Sequence, residues 1–308
     1  MGKVAFLFAG QGSQYAGMGK DFYENIPEVH EFFDAAERIR PGTLHQMFEG
    51  SEEELKKTEN TQPCIFLADI SGAVALEKNG IRPDAVAGFS LGEVAALAVS
   101  GALSYEKAYR LVCKRGQVMQ EAADEHDGLM VAVLGMDKEM LGEICSDIGV
   151  YPVNYNCPGQ VVVSGEAEKM EKFKAALTDK KVRFMELKVG GPFHTPYMSV
   201  AAKSLEEELH KDPGYDLKRP EIALFANKTA MPYPDDREEM IRTLSGQVES
   251  SVRWEETLLN MSREGIDTFI ECGPGRTLSG FVKRTVPGAK IINVCDMKTL
   301  ERAIEGYC

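Results

Sequence analysis

The chain has 308 residues, of which 44% are apolar and 27% charged, and its formal charge is −13. This composition is typical of a globular protein and excludes a disordered or fibrous chain. The acidic balance argues against a nucleic-acid or anionic-membrane ligand, because phosphate binding needs a field of Lys and Arg side chains. No apolar run reaches the roughly 18 residues that a membrane span requires.

The seven cysteines are widely spaced and include no C-x-x-C pair, so the sequence predicts neither a zinc site nor a disulfide framework. The apolar run at residues 4–9 is too short for the core of a signal peptide and is typical of a first strand. We therefore expect free thiols, no bound metal and a cytoplasmic location.

Short apolar runs alternate with helical patterns in the first half of the chain. This alternation implies βαβ units and a mostly parallel sheet. The second long helix is expected to begin with Pro63 at a first helical position and to end at Gly80. The predicted elements are a strand at 3–9, helices at 25–39 and 63–79, a strand at 84–89 and a helix at 91–100.

A different order of elements follows the polar turn cluster at residues 124–128. It reads βαββαβ, the order of a small ferredoxin-like unit. We therefore predict an α/β fold in which a hydrolase-like, mostly parallel sheet domain (residues 1–126 and 191–308) carries an inserted ferredoxin-like domain (residues 127–190). The predicted elements are strands at 129–134, 150–155, 160–164 and 182–189 and helices at 138–148 and 167–177, with a turn at 156–159; a strand at 268–272 and a helix at 278–284 follow in the large domain.

The glycine-rich turn after the first strand does not match a nucleotide-binding motif. A dinucleotide fingerprint that starts at Gly10-x-Gly12 would need glycine where Tyr15 stands. From spacing alone, a tight structural turn and a turn that directs backbone N–H groups into a cleft remain equally open. We expect no cofactor.

The segment Gly88-Phe89-Ser90-Leu91-Gly92 fits the nucleophile-elbow pattern G-x-S-x-G and lies between a predicted strand and a predicted helix. Flanking glycines leave room for a strained turn that exposes the Ser90 hydroxyl. The following N–H, on Leu91, would then face a developing oxyanion. A chance match in a Gly- and Ser-rich turn is the alternative.

A serine hydroxyl needs a base, and His194 is the best placed of the five histidines. It stands in a loop at the predicted domain junction, where catalytic side chains are often held, between a strand and a helix. No acid stands in an obvious position to orient it, so a Ser–His dyad and a triad remain open.

Arg115 lies on the apolar stripe of a helical pattern at residues 108–122. A buried guanidinium without an anion is costly. An internal ion pair or a solvent-directed side chain would explain the position. The functional alternative is a substrate carboxylate, which the planar fork of Arg can bind with two hydrogen bonds.

Together these residues resemble the malonyl-CoA:acyl carrier protein transacylases, the stand-alone malonyltransferases of type II fatty acid synthesis. The resemblance runs nearly end to end and depends on many ordered matches. The matching segments are residues 8–14, 61–63, 88–93, 115–116, 154–156, 159–165, 192–194, 247, 252–254 and 273–275.

The resemblance implies a ping-pong acyl transfer. Ser90 would attack the malonyl thioester with His194 as general base, and the acyl group would pass from Ser90 to the phosphopantetheine thiol of the carrier protein. The N–H groups of Gln11 and Leu91 would form the oxyanion hole. The backbone carbonyl of Gln247, rather than an acid, would orient the histidine.

The resemblance also implies a substrate pocket. Arg115 would bind the free malonyl carboxylate, and the ring of Phe193 would disfavour an α-methyl group. Gln62 and Asn156 fall on motif positions expected to bind substrate. Phe89 departs from the family, since many members have His before the nucleophile, and this affects the expected pocket polarity.

The implied partners are a coenzyme A thioester and acyl carrier protein, and we expect a monomer. Carrier proteins are acidic as a family, so docking to a chain of charge −13 needs a local basic patch. The candidate cations are Lys180, Lys181, Arg183, Lys283 and Arg284.

Two other functions use the same residues. A serine hydrolase or thioesterase would deliver the acyl group to water, and a non-catalytic binding module would carry an unreactive Ser90. A stand-alone acyltransferase could serve fatty acid or polyketide assembly, and the sequence leaves the pathway open.

Overall fold

A computed structural model describes residues 2–187, 190–211 and 214–307. It contains a five-stranded parallel sheet and a separate four-stranded antiparallel sheet, so the predicted α/β fold class is confirmed. In the described part of the chain no helix combines the length and the apolar character needed to cross a bilayer. The strands are β1 (Lys3–Phe8), β2 (Ala85–Gly88), β3 (Gly128–Leu134), β4 (Tyr151–Cys157), β5 (Gln160–Glu166), β6 (Arg183–Glu186), β7 (Ala223–Phe225), β8 (Ile266–Cys272) and β9 (Lys290–Val294).

Helices cover most of the chain between the strands, and two short 3-10 helices span Pro196–Met198 and Gly246–Glu249. The α-helices are α1 (Lys20–Asn25), α2 (Pro27–Ile39), α3 (Thr43–Glu49), α4 (Glu52–Lys56), α5 (Thr58–Lys78), α6 (Gly92–Val99), α7 (Tyr105–Asp124), α8 (Lys138–Ile148), α9 (Ala167–Asp179), α10 (Ser199–Lys211), α11 (Arg237–Ser245), α12 (Trp254–Arg263), α13 (Thr277–Thr285) and α14 (Met297–Tyr307).

The parallel sheet has the strand order β7-β2-β1-β8-β9, so β1 is the central strand and lies between β2 and β8. Alternate residues of β1 pack on opposite faces: Val4, Phe6 and Phe8 join the largest apolar core, whereas Ala5 and Leu7 join a second core. Both faces are therefore covered, as is usual for a parallel sheet. A functional site is therefore expected at the ends of the strands and not on either face of the sheet.

The antiparallel sheet has the order β4-β5-β3-β6, which is the ferredoxin-like strand order. On β3, Val131 and Val133 pack with side chains of α8 and α9, whereas Met130 and Ala132 belong to the largest core of the chain. One face of this sheet therefore rests on the rest of the protein. The domain boundaries at residues 127 and 190 stay a prediction.

The sequence prediction was wrong at the start of α5. Pro63 occupies the sixth position of that helix, not the first, although a proline there removes the bond that its N–H would give to the Glu59 carbonyl. The helix begins at Thr58, whose N–H donates to Gln120 Oε1 at 2.8 Å. Nearly every residue of α5 is buried, so tertiary packing outweighs the local preference of proline.

Other differences are local. The predicted helix at 25–39 is two helices, because the chain is extended at Ile26 and Pro27 starts α2. The predicted turn at 156–159 is shorter, since β4 continues through Asn156 to Cys157. The last predicted strand of the insert, at 182–189, is shorter in the structure, where it spans Arg183–Glu186 and does not include Leu187. Its predicted end at residues 188–189 lies outside the described residues.

Candidate active site

Ser90 lies at the sharp turn between β2 and α6, at the carboxyl end of the parallel sheet. Its φ of 54° is in the left-handed region, which residues other than glycine seldom adopt. A Cβ atom at Gly88 would lie 1.9 Å from the backbone of Gly92, and one at Gly92 would lie 2.4 Å from the Phe8 carbonyl oxygen. The two glycines therefore permit the tight turn that presents the Ser90 hydroxyl, as in a nucleophile elbow.

His194 is brought to this turn from 104 residues further along the chain. Its Nε2 atom lies 2.8 Å from Ser90 Oγ. Its Nδ1 atom lies 3.1 Å from the backbone carbonyl oxygens of both Gln247 and Ser250. Because carbonyl oxygens only accept, Nδ1 carries the proton and Nε2 is left to accept from the Ser90 hydroxyl.

The electrostatic surroundings keep the His194 ring neutral. Burial, together with the nearby Arg115 cation, lowers the pKa of His194 to about 4. At neutral pH the imidazole is therefore in the form that can take a proton. Within the described residues, no carboxylate is hydrogen-bonded to the ring, so the arrangement is a Ser–His dyad oriented by backbone carbonyls.

Arg115 on α7 is 2% exposed, and its guanidinium faces the same turn. Nη1 donates to Gln62 Oε1 at 2.8 Å, and Nη2 donates to Gln247 Oε1 at 2.7 Å and to Ser90 Oγ at 3.2 Å. Burial lowers the pKa of Arg115 to about 10, so the group remains a cation at neutral pH. Its hydrogen-bond partners in the described part of the chain include no carboxylate, although the buried carboxylate of Glu93 is near enough to raise its pKa.

The loop after β1 lies against the elbow. A Cβ atom at Gly10 would come within 2.7 Å of the Phe89 carbonyl oxygen, so the backbone that leads to Gln11 passes directly beside the nucleophile turn. The Gln11 side chain donates to Thr58 Oγ1 at 3.2 Å. Among the hydrogen bonds of the described residues, neither the Gln11 N–H nor the Leu91 N–H has an acceptor. Both groups are therefore available for a substrate oxygen.

The remaining predicted pocket residues lie in different surroundings. Phe193 is 5% exposed and packs in the largest core. Asn156 on β4 is buried, and its Oδ1 atom has no partner within the described residues. Phe89 packs its ring against Trp254 and Phe281, so it belongs to the second apolar core and not to the polar cluster around Ser90.

Three residues at this site were missed. Ser250 contributes only a backbone carbonyl, which no sequence pattern reveals. Asn227 and Glu93 lie behind the elbow and are fully buried. Glu93 could have been found, because it is an acid at the start of an otherwise apolar helix, the same signal that singled out Arg115. Asn227 stands 137 residues from Ser90 and gives no such signal.

In residues 2–187, 190–211 and 214–307, no group of three or more His, Cys, Asp or Glu side chains could hold a metal ion. The cluster around Ser90 itself supplies a hydroxyl, a neutral imidazole, a buried cation and two N–H groups without an acceptor among the described residues. This combination suits nucleophilic attack on a carbonyl carbon by Ser90, with an anionic group held close by.

Relatives of the chain are identified along almost its whole length. The family described as acyl transferase domain matches residues 5–302. A malonyl CoA-acyl carrier protein transacylase of Bacillus subtilis (strain 168) is 40% identical over 99% of this chain and 97% of its own length. A protein of the same name from Staphylococcus aureus (strain MRSA252) is 37% identical over 98% of this chain and 97% of its own.

Solved structures agree with these relatives. The malonyl CoA-acyl carrier protein transacylase of Clostridium perfringens ATCC 13124 superposes with a TM-score of 0.93 at 39% identity, over 99% of this chain and 97% of that one. A malonyl-transacylase solved in complex with a type II polyketide acyl-carrier protein has a TM-score of 0.93 at 34% identity, over 99% of both chains. The family prediction is thus confirmed: the chain belongs to the acyl transferase family, in the group of malonyl CoA-acyl carrier protein transacylases.

Proposed function

We propose that this protein transfers a malonyl group from malonyl-CoA to the phosphopantetheine thiol of acyl carrier protein through a malonyl-Ser90 intermediate. The observation that carries the proposal is the position of Arg115, a buried cation 3.2 Å from Ser90 Oγ with no hydrogen-bonded carboxylate among the described residues. Such a group suits an acyl chain that ends in a carboxylate a few ångströms from the reacting carbon. The names of the relatives agree with this substrate.

In the first half-reaction, His194 Nε2 takes the proton of the Ser90 hydroxyl as Oγ bonds to the thioester carbon. The carbonyl oxygen becomes an oxyanion that accepts hydrogen bonds from the Gln11 and Leu91 N–H groups. When the tetrahedral intermediate collapses, the carbon–sulfur bond breaks. The coenzyme A sulfur leaves with the proton from His194, and the malonyl ester of Ser90 remains.

The second half-reaction reverses these steps with a different thiol. His194 takes the proton of the phosphopantetheine thiol, the sulfur attacks the ester carbon, and Ser90 Oγ leaves with that proton. The neutral state of His194 between the two halves follows from its burial. We expect the protein to act as a monomer.

The specific role of Arg115 is to bind the free carboxylate of the malonyl group. Its fork is already held open by Gln62 and Gln247, one on each terminal nitrogen. A preorganised guanidinium loses little side-chain freedom when the carboxylate binds. Phe193 would limit the space beside the α-carbon, and Asn156 would bind the substrate further from the reacting carbon.

The proposed carrier-protein surface is a group of cations at one end of the antiparallel sheet. Arg183 pairs with Leu134, which in turn pairs with Gln160. Since neighbouring strands lie about 4.8 Å apart, Arg183 and Gln160 are separated by roughly 10 Å. Arg284 reaches the same end from α13 and donates to Gln160 Oε1 at 3.1 Å and to the Pro158 carbonyl at 2.9 Å.

Lys180, Lys181 and Lys283 extend this patch, and none of its five cations has an ion pair within the described ranges. On a chain with a net charge of −13, this group forms a positively charged patch that would attract an acidic partner. Reversing Lys181 and Lys283 to Glu should raise KM for the carrier protein while leaving Ser90 acylation by malonyl-CoA unchanged. Lys172→Glu is the matched control, because Lys172 already pairs with Glu168.

The function is tested by incubating the protein with malonyl-CoA and measuring its intact mass. We expect a gain of one malonyl group, located on Ser90 by peptide mapping and absent from Ser90→Ala. A folded wild-type protein that gains no mass would refute the proposal and would favour a binding module. Rapid release of free malonate with no thiol present would instead favour a hydrolase.

A further inference from the structure

The nucleophile turn depends on contacts from outside its own segment. Ser90 holds a φ of 54°, and a side chain in the left-handed region is strained, so the chain adopts it only when its surroundings enforce it. The Ser90 carbonyl oxygen accepts from Gln247 Nε2 at 2.7 Å. This bond fixes one side of the Ser90 backbone and leaves its N–H to be held by another group.

That group is the side-chain amide of Asn227, a residue with no exposed surface. Asn227 Oδ1 accepts from the Ser90 N–H at 2.7 Å, and Asn227 Nδ2 donates to the Gly88 carbonyl oxygen at 2.7 Å. One amide therefore spans the turn from the residue two positions before the nucleophile to the nucleophile itself. Asn227 reaches this position because it lies two residues after the end of β7, whose neighbour in the sheet is β2.

Asn227 is in turn held from the opposite side. Its own N–H donates to Glu93 Oε2 at 2.7 Å, and the Tyr233 hydroxyl donates to Glu93 Oε1. Glu93 is in the first turn of α6, three residues after Ser90, so the carboxylate ties the loop that carries Asn227 back to the helix that follows the nucleophile. Burial raises the pKa of Glu93, whereas these two hydrogen bonds favour its charged form.

We propose that Asn227 is a positioning residue that holds Ser90 in its reactive conformation, and that the buried Glu93–Tyr233 pair fixes Asn227 in place. The inference rests on the proposed function only for the identity of the acyl group, since the geometry concerns any reaction at Ser90. The Asn227 amide touches backbone groups of the turn, and its Oδ1 atom also accepts from Gln247 Nε2 at 3.5 Å, but it does not touch the Ser90 hydroxyl. It therefore acts through the backbone of Ser90.

This position requires a side-chain amide, because one group must accept from the Ser90 N–H while another donates to the Gly88 carbonyl. Aspartate could accept from the Ser90 N–H but could not donate to the Gly88 carbonyl, and alanine could do neither. Without these bonds the Ser90 N–H and the Gly88 carbonyl are left unpaired, and the turn can relax toward an unstrained φ. The Ser90 Oγ atom then moves away from His194, and the Leu91 N–H moves away from the position of the oxyanion. Arg115, which lies on α7, keeps its position.

The test compares Asn227→Ala and Tyr233→Phe with the control Asn260→Ala. Asn260 donates to the Ala230 carbonyl in the same loop, at 2.9 Å, but does not touch the elbow. For Asn227→Ala we expect the single-turnover acylation rate with malonyl-CoA to fall roughly 10- to 100-fold with KM within about twofold. Tyr233→Phe keeps the ring and should lose several-fold, whereas the control should keep the wild-type rate.

A second readout separates this proposal from the proposed function. Phenylmethylsulfonyl fluoride labels an activated serine without any acyl-CoA: the oxygen–sulfur bond forms, fluoride leaves, and the hydroxyl proton goes to His194. Its labelling rate at Ser90 should fall in Asn227→Ala as acylation does. If wild type is labelled but never malonylated, the proposed function fails and the positioning role is still tested by the labelling rates.

Two results would overturn the positioning role. One is a folded Asn227→Ala protein with wild-type rates of acylation and labelling. The other is a loss in Asn227→Ala that Asn260→Ala reproduces at an equal drop in Tm, because that would reflect the stability of the loop alone. If Asn227→Ala does not fold, wild-type rates in a folded Tyr233→Phe protein are sufficient to reject the relay through Glu93.

Discussion

Arg115→Ala gives the sharpest test of substrate choice. A hydrogen bond to a charged group contributes about 1.5–3 kcal/mol, and the guanidinium fork can give two to a carboxylate. Losing both costs about 3–6 kcal/mol, or roughly 10²- to 10⁴-fold, at tenfold per 1.4 kcal/mol. Because a bound carboxylate must share the fork with Gln62 and Gln247, we expect the lower end, about 100- to 1,000-fold.

The assay is the single-turnover rate of Ser90 acylation with malonyl-CoA and, in parallel, acetyl-CoA. Acetyl-CoA lacks only the carboxylate, so its rate reports any loss from the contact between Arg115 and Ser90 Oγ. The ratio of the two rates should fall about 100-fold or more in Arg115→Ala. Arg110→Ala, on the exposed side of the same helix, should leave the ratio unchanged.

An equal loss for both substrates would refute the carboxylate-binding role. It would mean that Arg115 stabilises the elbow or the developing charge, and not the far end of the acyl group. Arg115→Lys separates charge from geometry, since it keeps a cation but cannot form the two parallel bonds. We expect it to recover only part of the malonyl rate.

Three further predictions concern pH and stability. The acylation rate measured by pH jump should be constant from pH 8 to 6 and should fall to half its maximum near the His194 pKa of about 4. A midpoint near 6.5, the ordinary pKa of His, would contradict the conclusion that the buried His194 ring is held neutral. Burial raises the pKa of the Asp69 carboxyl above its usual range, so between the unfolded and the folded pKa the folded state binds more protons than the unfolded state, and stability falls as pH rises through that interval. Asp69→Asn should therefore gain more in Tm over wild type at pH 8 than at pH 5, and an equal gain at both would contradict this. A Cβ atom at Gly142 on α8 would meet nothing within 4 Å, so Gly142→Ala adds a methyl group without a clash. Because alanine favours a helix more than glycine does, the free energy of unfolding measured with denaturant should rise by about 0.5–1 kcal/mol.

Local patterns were sufficient to predict most elements near the site. The apolar run before Gly88 and the helix after Leu91 predicted β2, the elbow and α6 within two residues. Each of these signals lies within one short segment, where periodicity and turn chemistry act directly. The off-pattern Arg115 was informative for a different reason, because a charge among apolar neighbours needs a partner from elsewhere.

Long-range pairing set the limit of the sequence analysis. No local signal connects Asn227 to Ser90, since the two meet only because β7 lies next to β2 in the sheet. The second carbonyl at His194, that of Ser250, belongs to the backbone and is independent of residue type. Pro63 shows the opposite failure, in which a strong local signal is outweighed by the burial of the whole helix.

The most direct test of the account is to isolate the acylated protein and follow the loss of its acyl group. The account predicts that a labelled malonyl group stays on the protein in buffer and passes rapidly to holo-acyl carrier protein, with the label recovered as a thioester. It would be contradicted if the label left as free malonate at the same rate with and without the carrier protein, because Ser90 would then serve water and not a thiol.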